Sequence, residues 1–126
     1  MNTAAFPRHR RLTCKSDFRR VFATGQRFAG DYLVVAIDHH NEQTSRLGLA
    51  IGKRHCRQAV ERNRIKRVIR EWFRHHYMLL CGLDMVYLAR STVSSAPNHS
   101  LREDLEKLGH RIKRYQRLHF AGQRND

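Results

Sequence analysis

At 126 residues the chain has room for one compact domain and not two, and 40% hydrophobic residues exclude wholesale disorder. Three widely spaced cysteines (Cys14, Cys56, Cys81) form no CxxC pair, which excludes a disulfide framework and implies free thiols in a reducing compartment. Against 25 Lys and Arg stand 11 Asp and Glu, a net charge of +14 that repels itself in a compact state unless a polyanion neutralises it; arginine outnumbers lysine, which favours phosphate recognition through paired N–H donors.

Residues 1–12 hold Pro7 and several cations but no apolar run, so they read as a basic flexible arm rather than a secretory signal. No stretch approaches the ~20 apolar residues that span a bilayer, and the expectation is a cytoplasmic protein with no membrane partner. A short helix over residues 17–24 follows, capped by Ser16 or Asp17, with Phe18, Val21 and Phe22 at i, i+3, i+4 and Gly25 ending it. Residues 32–38 (YLVVAID) and 47–52 (LGLAIG) read as strands, and the polar stretch between them suits an antiparallel pair; an extra short strand fits near residues 27–30. Residues 57–76 carry the longest helical pattern, with Ile65, Val68, Ile69, Trp72, Phe73 and His76 on one stripe. Residues 85–89 (MVYLA) are a further strand. After Pro97-Asn98, Ser100 and Glu103 have capping-box spacing at the head of a last helix whose apolar stripe is Leu101, Leu105, Leu108, Ile112 and Tyr115. Residues 13–119 form the expected single domain, an α+β body with helices packed on a small sheet, and 120–126 a C-terminal tail.

The helix over residues 57–76 carries the functional signal. At roughly 100° per residue, Asn63, Lys66, Arg67, Arg70 and Arg74 gather opposite the apolar stripe, with Arg62 at the border and Arg64 further round. Solvated surface helices intersperse Glu with Lys at i, i+4. Between Arg57 and Arg74 there are seven Lys and Arg and only two acids, Glu61 and Glu71, and Lys53 and Arg54 stand just upstream. Such crowding of like charge calls for a partner that supplies anions. The chain shows no helix-turn-helix, zinc-finger or zipper pattern, which turns the reading from DNA toward RNA. Phe18, Phe22 and Tyr32 are candidate stacking surfaces for unpaired bases, with Arg19, Arg20 and Arg27 near them for phosphates.

The run Leu47-Gly48-Leu49-Ala50-Ile51-Gly52-Lys53-Arg54, then Ala59, Glu61-Arg62-Asn63-Arg64-Ile65-Lys66-Arg67 and Arg70-Glu71-Trp72-Phe73-Arg74 resembles the signature of the bacterial ribonuclease P protein component, whose hallmark is the RNR tripeptide, here Arg62-Asn63-Arg64. Phe6-Pro7-Arg8, Asp17-Phe18, Val21-Phe22, residues 84–89 and residues 105–108 extend the resemblance over roughly residues 6–118. Arg57-Gln58 stand where many members carry Gly-Asn, and Val35 where some carry an aromatic residue.

The resemblance implies a two-layer αβββαβα sandwich, ribosomal-protein-like, with a left-handed βαβ crossover against the usual rule. It implies that the RNR helix and the adjoining loop face the catalytic RNA, that Lys53, Arg54, Arg62, Asn63, Arg64, Lys66, Arg67 and Arg70 are RNA contacts, and that Phe18 and Phe22, with Tyr32 beside them, line a cleft for the 5′ leader of precursor tRNA. No obligate protein partner is expected. No catalytic constellation or classical metal set is discernible: His39-His40 and His75-His76 are adjacent pairs without ligand spacing, so catalysis and its Mg²⁺ are expected to reside in the RNA. Two rivals remain, a ribosomal-type RNA-binding protein or RNA chaperone, and a self-sufficient ribonuclease that uses histidines.

Overall fold

The computed structural model describes residues 11–12, 14–39, 45–76 and 82–120. Helix α1 (Lys15–Thr24) leads into β1 (Gln26–Ala29), β2 (Leu33–His39), β3 (Arg46–Ala50), α2 (Ala59–His76), β4 (Leu83–Ala89) and α3 (Asn98–Phe120), with a short 3-10 turn at Ser91–Ser95 before α3. This is the αβββαβα order, and the extra short strand is β1.

The four strands lie in the order β1-β2-β4-β3. β1 and β4 both run antiparallel to β2, whereas β3 runs parallel to β4. The two runs expected to form an antiparallel pair, β2 and β3, are therefore not neighbours; β4 enters between them. The reason is physical. A long helix between β3 and β4 makes a parallel crossover the natural connection, and β4, apolar along most of its length, gains most from the centre of the sheet.

Strand alternation sends Leu33, Val35 and Ile37 of β2 and Leu83, Met85 and Tyr87 of β4 to one face, where they join Ile65, Ile69, Trp72 and Phe73 of α2 and Leu101, Leu105, Leu108 and Ile112 of α3. Ala36 and Val86 face the other way and pack with Leu12 and with Val21, Phe18 and Phe22 of α1. The sheet and the α2–α3 layer thus hold the main core, and α1 lies on the far face of the sheet.

Element ends differ from the sequence expectation where a backbone partner displaces a side-chain cap. Cys14, not Ser16 or Asp17, precedes α1, and it caps nothing through its side chain. In α3 the Pro97 carbonyl accepts the amides of Ser100 and Leu101 (3.1 Å each), so the helix starts at Asn98 and Ser100 lies inside it rather than at its cap. Leu12 is buried, and its amide donates to the Leu47 carbonyl (2.8 Å) along the free edge of β3. Residues 1–10 and 121–126 fall outside the described residues.

Candidate RNA interface

Ile65, Val68, Ile69, Trp72 and Phe73 are the buried residues of α2, the stripe that the periodicity predicts. Trp72 fixes the seam with α3: its indole N–H donates to Glu106 (2.9 Å), and a Cβ at Gly109 would come within 2.7 Å of its ring, so only glycine admits it. Burying that stripe turns the opposite one outward. Asn63, Arg67 and Arg70 are exposed and Lys66 is half-buried; Lys53, Arg54 and Arg57 stand exposed on the turn that leads into the helix. None of these side chains makes a hydrogen bond or ion pair within the described residues. A pocket of about 470 Å³ at the head of α2 is lined by Arg54, His55, Cys56, Arg57, Gln58, Glu61 and Ser94.

The two arginines of the RNR tripeptide are arranged differently from their neighbours. Arg62 Nη1 donates to the carbonyls of Cys56 (2.9 Å) and Arg57 (2.7 Å), fastening the basic turn to the helix. Arg64 donates through Nε and Nη2 to Glu61 (3.0 and 2.7 Å) and through Nη1 to Asn98 at the start of α3 (2.7 Å). The middle residue, Asn63, points to solvent. Glu61 three residues before Arg64 was a visible sign of that ion pair; the carbonyls that Arg62 holds had no sequence signal. Arg57, absent from the predicted contacts, joins the exposed set.

On the far face of the sheet, Phe18 and Phe22 meet edge to face with centroids 6.4 Å apart, and with Lys15 and Arg19 they line a hollow of about 280 Å³. Arg27 lies over the Phe22 ring, 5.5 Å from its centroid. Gly48 makes room for this arrangement, because a Cβ there would approach Phe18 Cζ to 2.9 Å. By alternation with Ala36, Val34 faces this side and Val35 does not.

Tyr32 does not join the two phenylalanines. It sits before the first residue of β2 and packs against the main core under α2 and α3. There the buried Asp104 carboxylate accepts the amides of Asp31 (2.8 Å), Tyr32 (3.0 Å) and Leu33 (2.9 Å), pinning the turn to α3. Arg20 is likewise withdrawn from the expected phosphate contacts. It pairs with Asp38 and with the fully buried Asp84, which Arg46 also holds through Nε and Nη2 (2.8 and 2.7 Å). The hydrogen bond to Asp84 holds the Arg20 guanidinium above its ordinary pKa, against a smaller opposing effect of burial.

Among the described residues no cluster of three or more His, Cys, Asp or Glu forms a metal-binding group, and no helix is long and apolar enough to cross a membrane. The histidines of α2 serve local contacts: His76 stacks on Trp72 (4.2 Å, 10°), and His75 Nδ1 lies 2.9 Å from the Glu71 carbonyl.

A family model described as ribonuclease P matches residues 6–121. The chain belongs to the ribonuclease P protein family. Over 109 residues it is 43% identical to a ribonuclease P protein component of Marinomonas sp. (strain MWYL1), covering 85% of this chain and 82% of that one. It is 44% identical over 108 residues to that of Yersinia pestis (strain Pestoides F), covering 85% and 90%. Among solved structures, a ribonuclease P protein of Staphylococcus aureus superposes with a TM-score of 0.72 at 30% identity, covering 78% of this chain and 90% of that one. One from Thermotoga maritima gives 0.71 at 30% identity, covering 82% and 96%. The chain is therefore the protein subunit of a ribonucleoprotein endoribonuclease that serves tRNA 5′ maturation, and the RNA-binding reading of α2 accords with it.

Proposed function

We propose that the outer face of α2 and the turn before it bind the catalytic RNA of ribonuclease P, and that the α1 side of the sheet receives the single-stranded 5′ leader of precursor tRNA. In this reading Lys53, Arg54, Asn63, Lys66, Arg67 and Arg70 meet the RNA directly. Arg62 and Arg64 act partly as positioning residues: one sets the basic turn, the other sets α2 against α3, and each keeps N–H donors for phosphate. Phe18 and Phe22 offer ring surface to unstacked leader bases, while Lys15, Arg19 and Arg27 supply charge at the rim.

The observation that carries the reading is the one-sided charge of α2. Lys66, Arg67 and Arg70 have no acidic partner among the described residues, because Glu61 and Glu71 are taken by Arg64 and Arg74, so a polyanion meets these three without first breaking internal ion pairs. The protein's contribution is to screen repulsion between two RNAs and to hold the leader; hydrolysis and its Mg²⁺ belong to the catalytic RNA. The unpaired thiols of Cys14 and Cys56 fit a reducing cytoplasm as the place of work.

The test is reconstitution with a bacterial ribonuclease P RNA at low Mg²⁺. Faster cleavage of precursor tRNA is expected on adding the chain, and no acceleration overturns the reading. For the leader assignment, Gly48→Ala crowds Phe18. It is expected to reduce the preference for leader-bearing over leaderless tRNA while assembly with the catalytic RNA is kept, and an unaltered preference removes Phe18 from that role.

A further inference from the structure

Charge is segregated along α3 in a way that the α2 reading does not use. From Asn98 to Glu106 the helix holds one arginine and three acids; from Lys107 to Phe120 it holds five Lys and Arg and no acid at all. Lys107 and Arg111 face the β1 side. Lys107 lies 3.7 Å from Asp31, and Arg111 donates to the Ala29 carbonyl (2.8 Å) and covers the Phe28 ring at 5.2 Å. His110, Lys113, Arg114 and Arg117 form a separate stripe at i, i+3, i+4 and i+7. His110, Arg114 and Arg117 are exposed and turned away from the buried Leu101, Leu105, Leu108 and Ile112, and Lys113 is half-buried on their flank. These four make no hydrogen bond or ion pair within the described residues.

We infer that this outer stripe of the C-terminal half of α3 is a second phosphate-binding surface, fitted to the backbone of folded RNA and distinct from the face of α2. The inference rests on the RNA-binding reading of the chain but not on the leader assignment.

Three features carry it. First, the helix dipole favours cations only within the last turn, whereas this stripe begins at His110, ten residues before the helix ends at Phe120, so the dipole leaves most of it unexplained. Second, the stripe holds no Phe, Tyr or Trp. Tyr115, the one such ring between residues 107 and 117, turns inward against Phe28 (5.7 Å between centroids). A surface of cations without stacking rings reads phosphates, not splayed bases, which favours a folded RNA over a single strand. At a rise of about 1.5 Å per residue the stripe spans ~10 Å, enough to follow about three successive phosphates of one strand.

Third, the surface is separate from that of α2. The two helices run side by side in the same direction: Arg64 contacts Asn98 and Trp72 contacts Glu106. Level with Arg67 and Arg70, the outer residues of α3 are Arg102, Glu103 and Glu106, two acids to one cation, with Arg102 and Glu106 lining the pocket between the two helices. Arg114 lies about 12 Å further along.

The experiment uses the full chain with Lys113→Gln, Arg114→Gln and Arg117→Gln together, beside an Arg67→Gln/Arg70→Gln variant. Affinities for ribonuclease P RNA, for a short RNA duplex of arbitrary sequence and for polyglutamate are measured over a range of salt. Unchanged circular dichroism and melting serve as the folding control, and Arg114→Gln alone replaces the triple variant if that control fails. The expected result is weaker binding of both RNAs, with the slope of log K against log salt lowered by about 0.7–0.9 per residue removed. A slope unchanged in the α3 variant but lowered in the α2 variant overturns this inference and leaves the α2 reading standing. Slopes unchanged in both overturn both. Intact RNA binding with loss of polyglutamate binding also overturns the inference, because it assigns the stripe to an acidic protein.

Discussion

The outer face of α2 and the junction of α1 with the sheet are both rich in arginine, yet they use it in opposite ways. On α2, Arg67 and Arg70 project from a helix whose two acids are already engaged, Glu61 by Arg64 and Glu71 by Arg74. Under α1, Arg20 and Arg46 converge on one buried carboxylate, Asp84, with Asp38 on the flank. The first arrangement leaves charge available to a partner. The second uses it to hold α1 on the sheet, and so sets the distance between Phe18 and Phe22 and the strands beneath them. Net charge alone therefore overstates the cations that face RNA. The relevant quantity is charge that remains after the fold has satisfied its own buried acids.

The largest effect expected is at the seam that makes the α2 face possible. Trp72→Ala should cost about 3–5 kcal/mol, because a buried indole lying on Gly109 leaves a cavity that the neighbouring helices cannot close; urea denaturation measures it, and a loss below ~1 kcal/mol would show the seam to be dispensable. Next comes the opposite region. Asp84→Ala should destabilise by roughly 2–3 kcal/mol, less than for a fully enclosed pair because both guanidinium groups reach water, and it should loosen α1. Faster amide exchange in α1 is the accompanying signature.

The sharpest contrast between the two regions is in salt dependence. Arg67→Ala with Arg70→Ala should lower the slope of log K for RNA by about 0.7–0.9 each and leave melting unchanged, whereas Arg20→Ala should lower melting and leave the slope unchanged. Equal slopes in the two variants would erase the distinction drawn here.

The smallest effect is in the core between these regions. The Tyr87 hydroxyl is buried without a hydrogen-bond partner among the described residues, and burial, followed by the nearby Asp104 charge, pushes its pKa up. The folded state therefore holds this proton more tightly than the unfolded chain. The stability it contributes is whole below the unfolded value near 10.0 and is lost as pH rises from there toward the folded pKa. Tyr87→Phe should flatten that alkaline decline and stabilise the protein by up to about 1 kcal/mol, read from melting across alkaline pH.

Much of this was legible in the order of residues. The 3.6-residue periodicity of α2 and α3 named their buried stripes almost residue for residue, since a helix presents the same face whatever it packs against. The aromatic pair on α1 could be read as one patch for the same reason. Sequence could also point Lys53, Arg54, Asn63, Lys66, Arg67 and Arg70 toward an open surface, because only two acids, Glu61 and Glu71, stand between Arg57 and Arg74 against seven cations.

What it could not reach were relations between distant segments. That β4 lies between β2 and β3, that Asp84 draws in Arg20 from 64 residues away, and that Asp104 holds Tyr32 in a turn far from the phenylalanines are all outcomes of tertiary packing. Local pattern fixes which side of an element is apolar, whereas the partner of a charge depends on which elements meet across the sheet. So the sequence determined that this chain has a cationic helix and a family to which it belongs. Only the folded structure decided which cations remain free, because buried carboxylates claim the nearest guanidinium groups before any RNA arrives.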